Sequence, residues 1–300
     1  MRASEQLSSL PTARSLYMKA KKLLSNNIKS NCNTHLQTLT VQCKFADSAK
    51  LEDSCKTWNR LIAGFNPGQL SFLLRAASDT LPTAVNLRQW CIQSDIHCTL
   101  CAYSRPTTAH ILGGCPVTLT QQRYTYRHDK VLYLLASWLV DIFVGFSSIQ
   151  VYADIHGLRA SEGPQGTVPS SLLFTPYRPD IVVYNSEAST VALLELTCPL
   201  DSEHHIQEAR SRKQNKTEYL QLLSEFDRLQ IPNYYETVEI SVLGHYLPSG
   251  THALKSFIDL TQPSIATKSN IRQTLDRAAN TCITCSQQIF FSRNCSEWSP

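Results

Sequence analysis

The sequence predicts an α+β fold: a mixed β-sheet flanked by helices, preceded by a helical amino-terminal region and a small metal-binding segment. Three observations point there. Two apolar β-type runs, 181–184 and 191–196, are separated by a segment short enough to be a hairpin loop. Stretches with apolar residues at helical spacing lie on either side of them, at 122–145 and 202–230. A further alternating run, Val238, Ile240 and Val242, completes the order helix, strand, loop, strand, strand, helix, strand, helix, which suits a sheet with helices packed on it.

Composition sets the class. An apolar fraction of 42% and a charged fraction of 17% belong to a globular chain, and 300 residues can bury one large core or two small ones. The expected division is a basic, mainly helical region at 1–66, a helical lead-in and metal segment at 67–120, the sheet domain at 121–262, and a terminal helix and tail at 263–300. Met1–Arg60 holds ten Lys and Arg against four Asp and Glu, so the basic surplus is local and exceeds the net +4 of the whole chain. Eleven cysteines without an apolar export-type run at the amino terminus predict a reducing, intracellular compartment. The longest apolar stretch, Val131–Phe146, is too short for a membrane span and contains Asp141, so no membrane partner is expected.

Taken in order, the chain first offers helical pieces such as Ser15–Leu24. Cys32, Cys43 and Cys55 are too widely spread for a metal site and read as ordinary thiols. After Pro67-Gly68, Gln69–Ala77 reads as a short amphipathic helix with Leu70, Leu73 and Leu74 on one face, and Asn86–Cys91 as a second short helix. The strongest local signal follows: Cys98-x2-Cys101-x8-His110-x4-Cys115. A Cys-x2-Cys pair presents two thiolates from one tight turn, and His-x4-Cys returns the other two donors, which is the set a tetrahedral, structural Zn²⁺ requires. Gly113-Gly114 would let the backbone turn into the last ligand.

A long helix is expected from Gln122 to Gly145, with His128 on its apolar face one turn ahead of Val131 and Leu132. Ser148–Ala153 reads as a strand, and the Gly/Pro/Ser-rich segment Ile155–Thr175 as a substrate-facing flap or local disorder. The paired strands then bring Asp180, at the start of one, and Glu195, near the end of the other, to the same end of a ribbon. Two hard oxygen ligands there suit Mg²⁺. From Ser202 to Gln230 one helix is expected, with Ile206, Ala209, Leu220 and Leu223 on its apolar face and Lys213 and Lys216 interrupting it. Both lysines are therefore predicted to face the sheet, where an ammonium can orient water and stabilise developing charge. A strand at Glu236–Gly244 and helices at Thr251–Asp259 and Ser269–Ala279 follow; Cys282, Cys285 and Cys295 lack a fourth donor and read as packed thiols.

The order Pro179-Asp180, Glu195 on the next strand and lysines on the following helix resembles the restriction-like endonuclease domain, of PD-(D/E)XK type, of site-specific non-LTR retrotransposons. Upstream, the Cys98, Cys101, His110, Cys115 set followed by Arg127-His128-Asp129 is similar to the CCHC zinc knuckle and the Arg-His-acid motif that precede the nuclease in those elements. The resemblance spans about Gln69 to Tyr246 and does not include a polymerase. It implies a restriction-endonuclease-like core with Asp180, Glu195, Lys213, Lys216 and His128 as catalytic residues and Arg127, Asp129 and Tyr219 as supporting ones. It also implies Mg²⁺ on Asp180 and Glu195, zinc on the knuckle, DNA with RNA as a second candidate partner, a reverse transcriptase supplied by another chain, and a nuclear location. Thr197 departs from the wider superfamily, where a lysine stands in the acidic-x-Lys motif; the retrotransposon branch is similar in moving that lysine to the helix. Two alternatives stay open: an inactive nucleic-acid-binding fragment, and a host protein-interaction scaffold on the nuclease fold.

Overall fold

The computed structural model describes residues 13–38, 52–155, 157–159, 166–261 and 265–299. The chain forms two compact units, Met1–Ala46 and Asp47–Pro300, so the segments expected at 67–120, 121–262 and 263–300 all fall in the second. Among the described residues no helix is long and apolar enough to cross a membrane. Cys43, Gly163 and Pro164 lie outside the described residues.

Among the described residues the first unit carries α1 (Ala13–Thr38), longer than the 15–24 segment expected. The second begins with α2 (Glu52–Leu61), then α3 (Pro67–Ala77). The start of α3 follows from its sequence: Pro67 occupies the first turn, and Asn66 and Gln69 form a reciprocal capping box. Its buried face is Phe72, Leu73 and Ala76, while Leu74, expected inside, is exposed. Next come α4 (Ala84–Gln89), a π-helical turn at His110–Gly114, α5 (Pro116–Thr120) and the long α6 (Arg123–Ile142).

The sheet has four strands in chain order: β1 (Ile149–Ala153), β2 (Ile181–Asn185), β3 (Thr190–Thr197) and β4 (Asn233–Glu239). The first two pairings are antiparallel; β3 and β4 are parallel, which requires a crossover. That crossover is two helices, not the single one expected: α7 (Glu203–Gln214) and α8 (Thr217–Arg228). Asn215 caps α7, and Lys216 takes an extended backbone that ends it. The break rotates the apolar stripe, so Tyr219, Leu222 and Phe226 are buried while Leu220 is exposed. β4 also starts three residues earlier than predicted, because pairing with β3 recruits the polar Asn233, which the alternation rule passes over. The chain ends in α9 (Pro248–Thr261) and α10 (Lys268–Phe291), and Cys282 and Cys285 sit inside α10 as buried thiols.

Both sheet faces are covered. One presents Ile181, Val183, Ala192, Leu194 and Leu196 to a core shared with α6, α9 and α10. The other presents Val182, Val191 and Leu193 to Leu222 and Phe226 of α8, and Val168 packs there too, so this part of the expected flap is core. Each Val, Leu, Ile or Phe side chain among them contributes about 1.5–3 kcal/mol on burial. α10 approaches the backbone after β4 so closely that a Cβ on Gly244 (φ +80) would lie 2.7 Å from Ile283 Cδ1.

Candidate active site and metal centre

The sheet face under α7 and α8 changes character along its length. At one end it is apolar; at the other, Glu195, Thr197, Thr237 and Glu239 are all buried. Register places Glu195 opposite Thr237 and Thr197 opposite Glu239, so four polar side chains gather where β3 and β4 leave the core. Asp180, immediately before β2, joins them through two crossed bonds: its own N–H donates to Glu195 Oε1 at 2.9 Å, and Leu196 N–H donates to Asp180 Oδ2 at 2.7 Å. The hairpin thus brings the two carboxylates together as the sequence predicts.

Lys213, in the last turn of α7, reaches this end: its Nζ donates to Glu195 Oε2 at 2.5 Å and to Asp180 Oδ2 at 3.4 Å. Tyr235 holds that turn by donating to Lys213 C=O at 2.8 Å. From the opposite side α6 brings His128, whose Nε2 lies 3.4 Å from Asp180 Oδ2 and whose Nδ1 lies 3.0 Å from Asp129 Oδ1. Tyr219 is buried with its hydroxyl donating to Arg178 C=O at 3.2 Å. Lys216 is placed differently from expectation. At the helix break it pairs with Glu218 at 2.9 Å and lies over the Tyr219 ring, 4.3 Å from its centroid, with its stem half-exposed.

These contacts drive the two acids apart in strength. Burial pushes the Asp180 carboxyl up, but His128, Lys213 and the Leu196 N–H outweigh it and hold it below its ordinary range. Glu195 moves the opposite way, raised by burial and by the Asp180 charge against the pull of Lys213. Burial works against the Lys213 ammonium, yet the two carboxylates raise its pKa above the ordinary value. Burial opposes the His128 imidazolium too, but its bonds to Asp129 and Asp180 push it up to about 10. The result at neutral pH is an anionic Asp180 between two cations, beside a Glu195 with raised proton affinity. Environments that separate two neighbouring acids in this way occur at sites of acid–base chemistry and in structural ion-pair networks.

The second constellation is Cys98, Cys101, His110 and Cys115, whose donor atoms all lie within 4.8 Å of one another. Tetrahedral zinc with sulfur at about 2.3 Å and nitrogen at about 2.0–2.1 Å has edges of about 3.5–3.8 Å. Three thiols and one imidazole at this separation fit the ion, and Cys101 Sγ to His110 Nε2 is 3.4 Å. Burial holds His110 below its usual value, in the neutral form a ligand needs, and pushes Cys101 up to about 11. The local chain explains the geometry. Ala102 adopts φ 56, closing the Cys-x2-Cys turn, and Ala102 N–H donates to Cys98 C=O at 2.9 Å. Tyr124 bridges the other half: Cys115 N–H donates to its hydroxyl at 3.1 Å, and that hydroxyl donates to Ile111 C=O at 2.9 Å. His97, by contrast, pairs with Asp95.

Arg127 does not touch the acid pair. It is buried, donates from Nη1 to Leu112 C=O at 2.9 Å, and so ties α6 to the π-helical turn of the metal segment. Gly113 makes a second tie, since a Cβ there would stand 3.0 Å from Leu200, just beyond β3. Sequence reading also missed Arg210, which pairs with buried Glu239 at 3.3 Å, and Tyr235; neither belongs to a recognisable motif. Asp180 and Glu195 are hard oxygen donors of the kind Mg²⁺ takes, and both Glu195 oxygens are engaged, one by Asp180 N–H and the other by Lys213 Nζ. Comparison of the sequence with protein-family models gives no match, and comparison with curated proteins gives none.

Proposed function

We propose that this chain is a Mg²⁺-dependent endonuclease of the retrotransposon type, which hydrolyses a DNA phosphodiester bond and leaves a nick. The observation that supports it is the contact of one helical ammonium, Lys213 Nζ, with both strand carboxylates at 2.5 and 3.4 Å. Mg²⁺ held by Asp180 and Glu195 would supply Lewis-acid polarisation of the phosphate. Water adds to phosphorus and gives up a proton, the P–O3′ bond breaks, and O3′ takes a proton from solvent, so the strand ends are a 5′-phosphate and a 3′-hydroxyl. Lys213 takes the place that Thr197 vacates: kept as ammonium, it orients the water and stabilises charge on the phosphoryl oxygens. Glu195, which accepts the Asp180 N–H and the Lys213 ammonium, fixes that lysine at the site. His128, anchored by Asp129, fixes the orientation of Asp180, and Tyr219 fixes the backbone at Arg178.

In this reading zinc on Cys98, Cys101, His110 and Cys115 shapes a knuckle that grips DNA or RNA next to the nuclease. A reverse transcriptase on another chain extends the nicked 3′ end, and action on chromosomal DNA places the protein in the nucleus. The test is incubation of purified protein with supercoiled plasmid, with and without Mg²⁺. Conversion to open circles that needs Mg²⁺ and is lost in Asp180→Asn is the expected result. The full burial of Glu195 and its direct pairing with Lys213 favour a second reading, an inactive nucleic-acid-binding fragment. Plasmid binding without nicking at any Mg²⁺ concentration would select that one.

A further inference from the structure

Beside the acid pair lies an ion cluster that the catalytic reading does not use. Asp154, immediately after β1, is joined to the catalytic strand by its backbone: Asp154 N–H donates to Asp180 C=O at 2.9 Å. Its side chain receives two arginines on a single oxygen. Arg178 donates to Asp154 Oδ1 from Nε at 3.1 Å and Nη2 at 2.5 Å, and Arg159 donates to the same atom from Nε at 3.0 Å. One carboxylate is thus shared by two guanidiniums, and among the described residues a unit of positive charge is left over.

A surface ion pair needs only one cation, and its net worth is about 0–1 kcal/mol. Bringing a second guanidinium to the same oxygen adds repulsion between like charges, which a bridging anion would relieve. Each guanidinium has five N–H donors, and Asp154 takes only two from Arg178 and one from Arg159. Both arginine side chains are about two-fifths exposed, at 41% and 43%, whereas Asp154 is at 21%. The carboxylate lies beneath and the forks lie outside. Arginine forks of this kind match the paired oxygens of a phosphate. Position adds to the charge: Arg178 sits two residues before Asp180, and the hydroxyl of Tyr219 fixes its carbonyl.

We infer that Arg159 and Arg178, pre-oriented by Asp154, form a clamp for the phosphodiester backbone of a nucleic-acid strand, holding phosphates next to the one at Asp180 and Glu195. The inference rests on the endonuclease reading for its ligand, yet it is separable from catalysis. The clamp sets affinity and register, and the acid pair with Lys213 sets the chemical step. Phosphate contacts of this type carry no sequence information.

The experiment measures binding of the full chain to a short fluorescent DNA duplex across a salt series, without added Mg²⁺. Each phosphate contact contributes about −0.9 to the slope of log K against log salt. Arg159→Gln with Arg178→Gln should make the slope shallower by about 2 and weaken binding alike for unrelated sequences, with an unchanged thermal midpoint. Asp154→Asn, which keeps both arginine charges but loses the carboxylate that orients them, should keep the parental slope and weaken binding less than the double variant. Should the double variant fail to fold, Arg159→Gln alone should lower the slope by about 1. An unchanged slope in a folded variant overturns the clamp, as does complete displacement of the duplex by millimolar phosphate at constant ionic strength. Plasmid nicking separates the two ideas: nicking with an unaltered slope removes the clamp alone, and an altered slope without nicking removes the nuclease reading alone.

Discussion

The metal centre and the acid–lysine site solve one problem, gathering ionisable side chains, at opposite ranges of the chain. All four zinc-type donors lie within residues 98–115, and the turns that aim them are local. The acid–lysine site draws on α6, β2, β3 and α7, and its members meet only once the sheet is paired and both faces are covered. A local site depends on its ion more than a core site does, because only a few outside contacts, such as those of Tyr124 and Arg127, hold its turns in place. A site assembled from core elements is held by the fold, and its charges are the part that strains. The two should therefore fail in different ways.

The largest difference is expected from Cys98→Ser. It should release the zinc and loosen residues 98–124, since metal binding in such segments is coupled to folding by on the order of 10 kcal/mol. Metal analysis and hydrogen exchange measure this, and a well-folded variant that retains one zinc per chain would refute the ligand assignment. Lys213→Met comes next. It should keep its zinc but nick plasmid more slowly, by on the order of 10²–10³. It should also lose about 3–5 kcal/mol of stability, because Glu195 is left buried without its partner. Adding Glu195→Gln should restore most of that stability and none of the nicking, which separates charge compensation from chemistry. A Lys213→Met enzyme that nicks at the parental rate ends the catalytic assignment.

A smaller effect sharpens the comparison on the same sheet face, at Glu239. Burial raises its pKa despite Arg210, so the folded state holds this proton more tightly than the unfolded chain. Its contribution is therefore fully present below the ordinary Glu value of 4.5 and is lost as pH rises through the raised value. Thermal midpoints between pH 4 and 7 should show the parent losing ground to Glu239→Gln as pH increases; a gap that stays constant would mean that Glu239 is not strained. The smallest effect should come from Lys216→Ala. With Lys216 at the helix break, paired to Glu218 and half-exposed, stability should change by no more than about 0.5 kcal/mol. Nicking should fall far less than in Lys213→Met, and an equal loss would put Lys216 in the chemical step.

Much of this molecule is legible in its residues. Hairpin spacing and alternation determine that Asp180 and Glu195 share one end of a ribbon, because side-chain direction in a strand follows a period of two and pairing fixes the register. Three thiols and an imidazole at short spacing likewise determine a cluster that could hold a metal ion without reference to the rest of the chain. Which lysine meets the carboxylates was not legible. A continuous 3.6-residue stripe treats Lys213 and Lys216 alike, and only the break at Asn215, after which Lys216 takes an extended backbone, separates them. The meeting of His128 with Asp180, the diversion of Arg127 to Leu112 and the convergence of Arg159 and Arg178 on Asp154 depend likewise on which helix packs on which face. Local sequence carries period and propensity; long-range contacts are decided by how the buried faces close against one another, and no short window of residues contains that information.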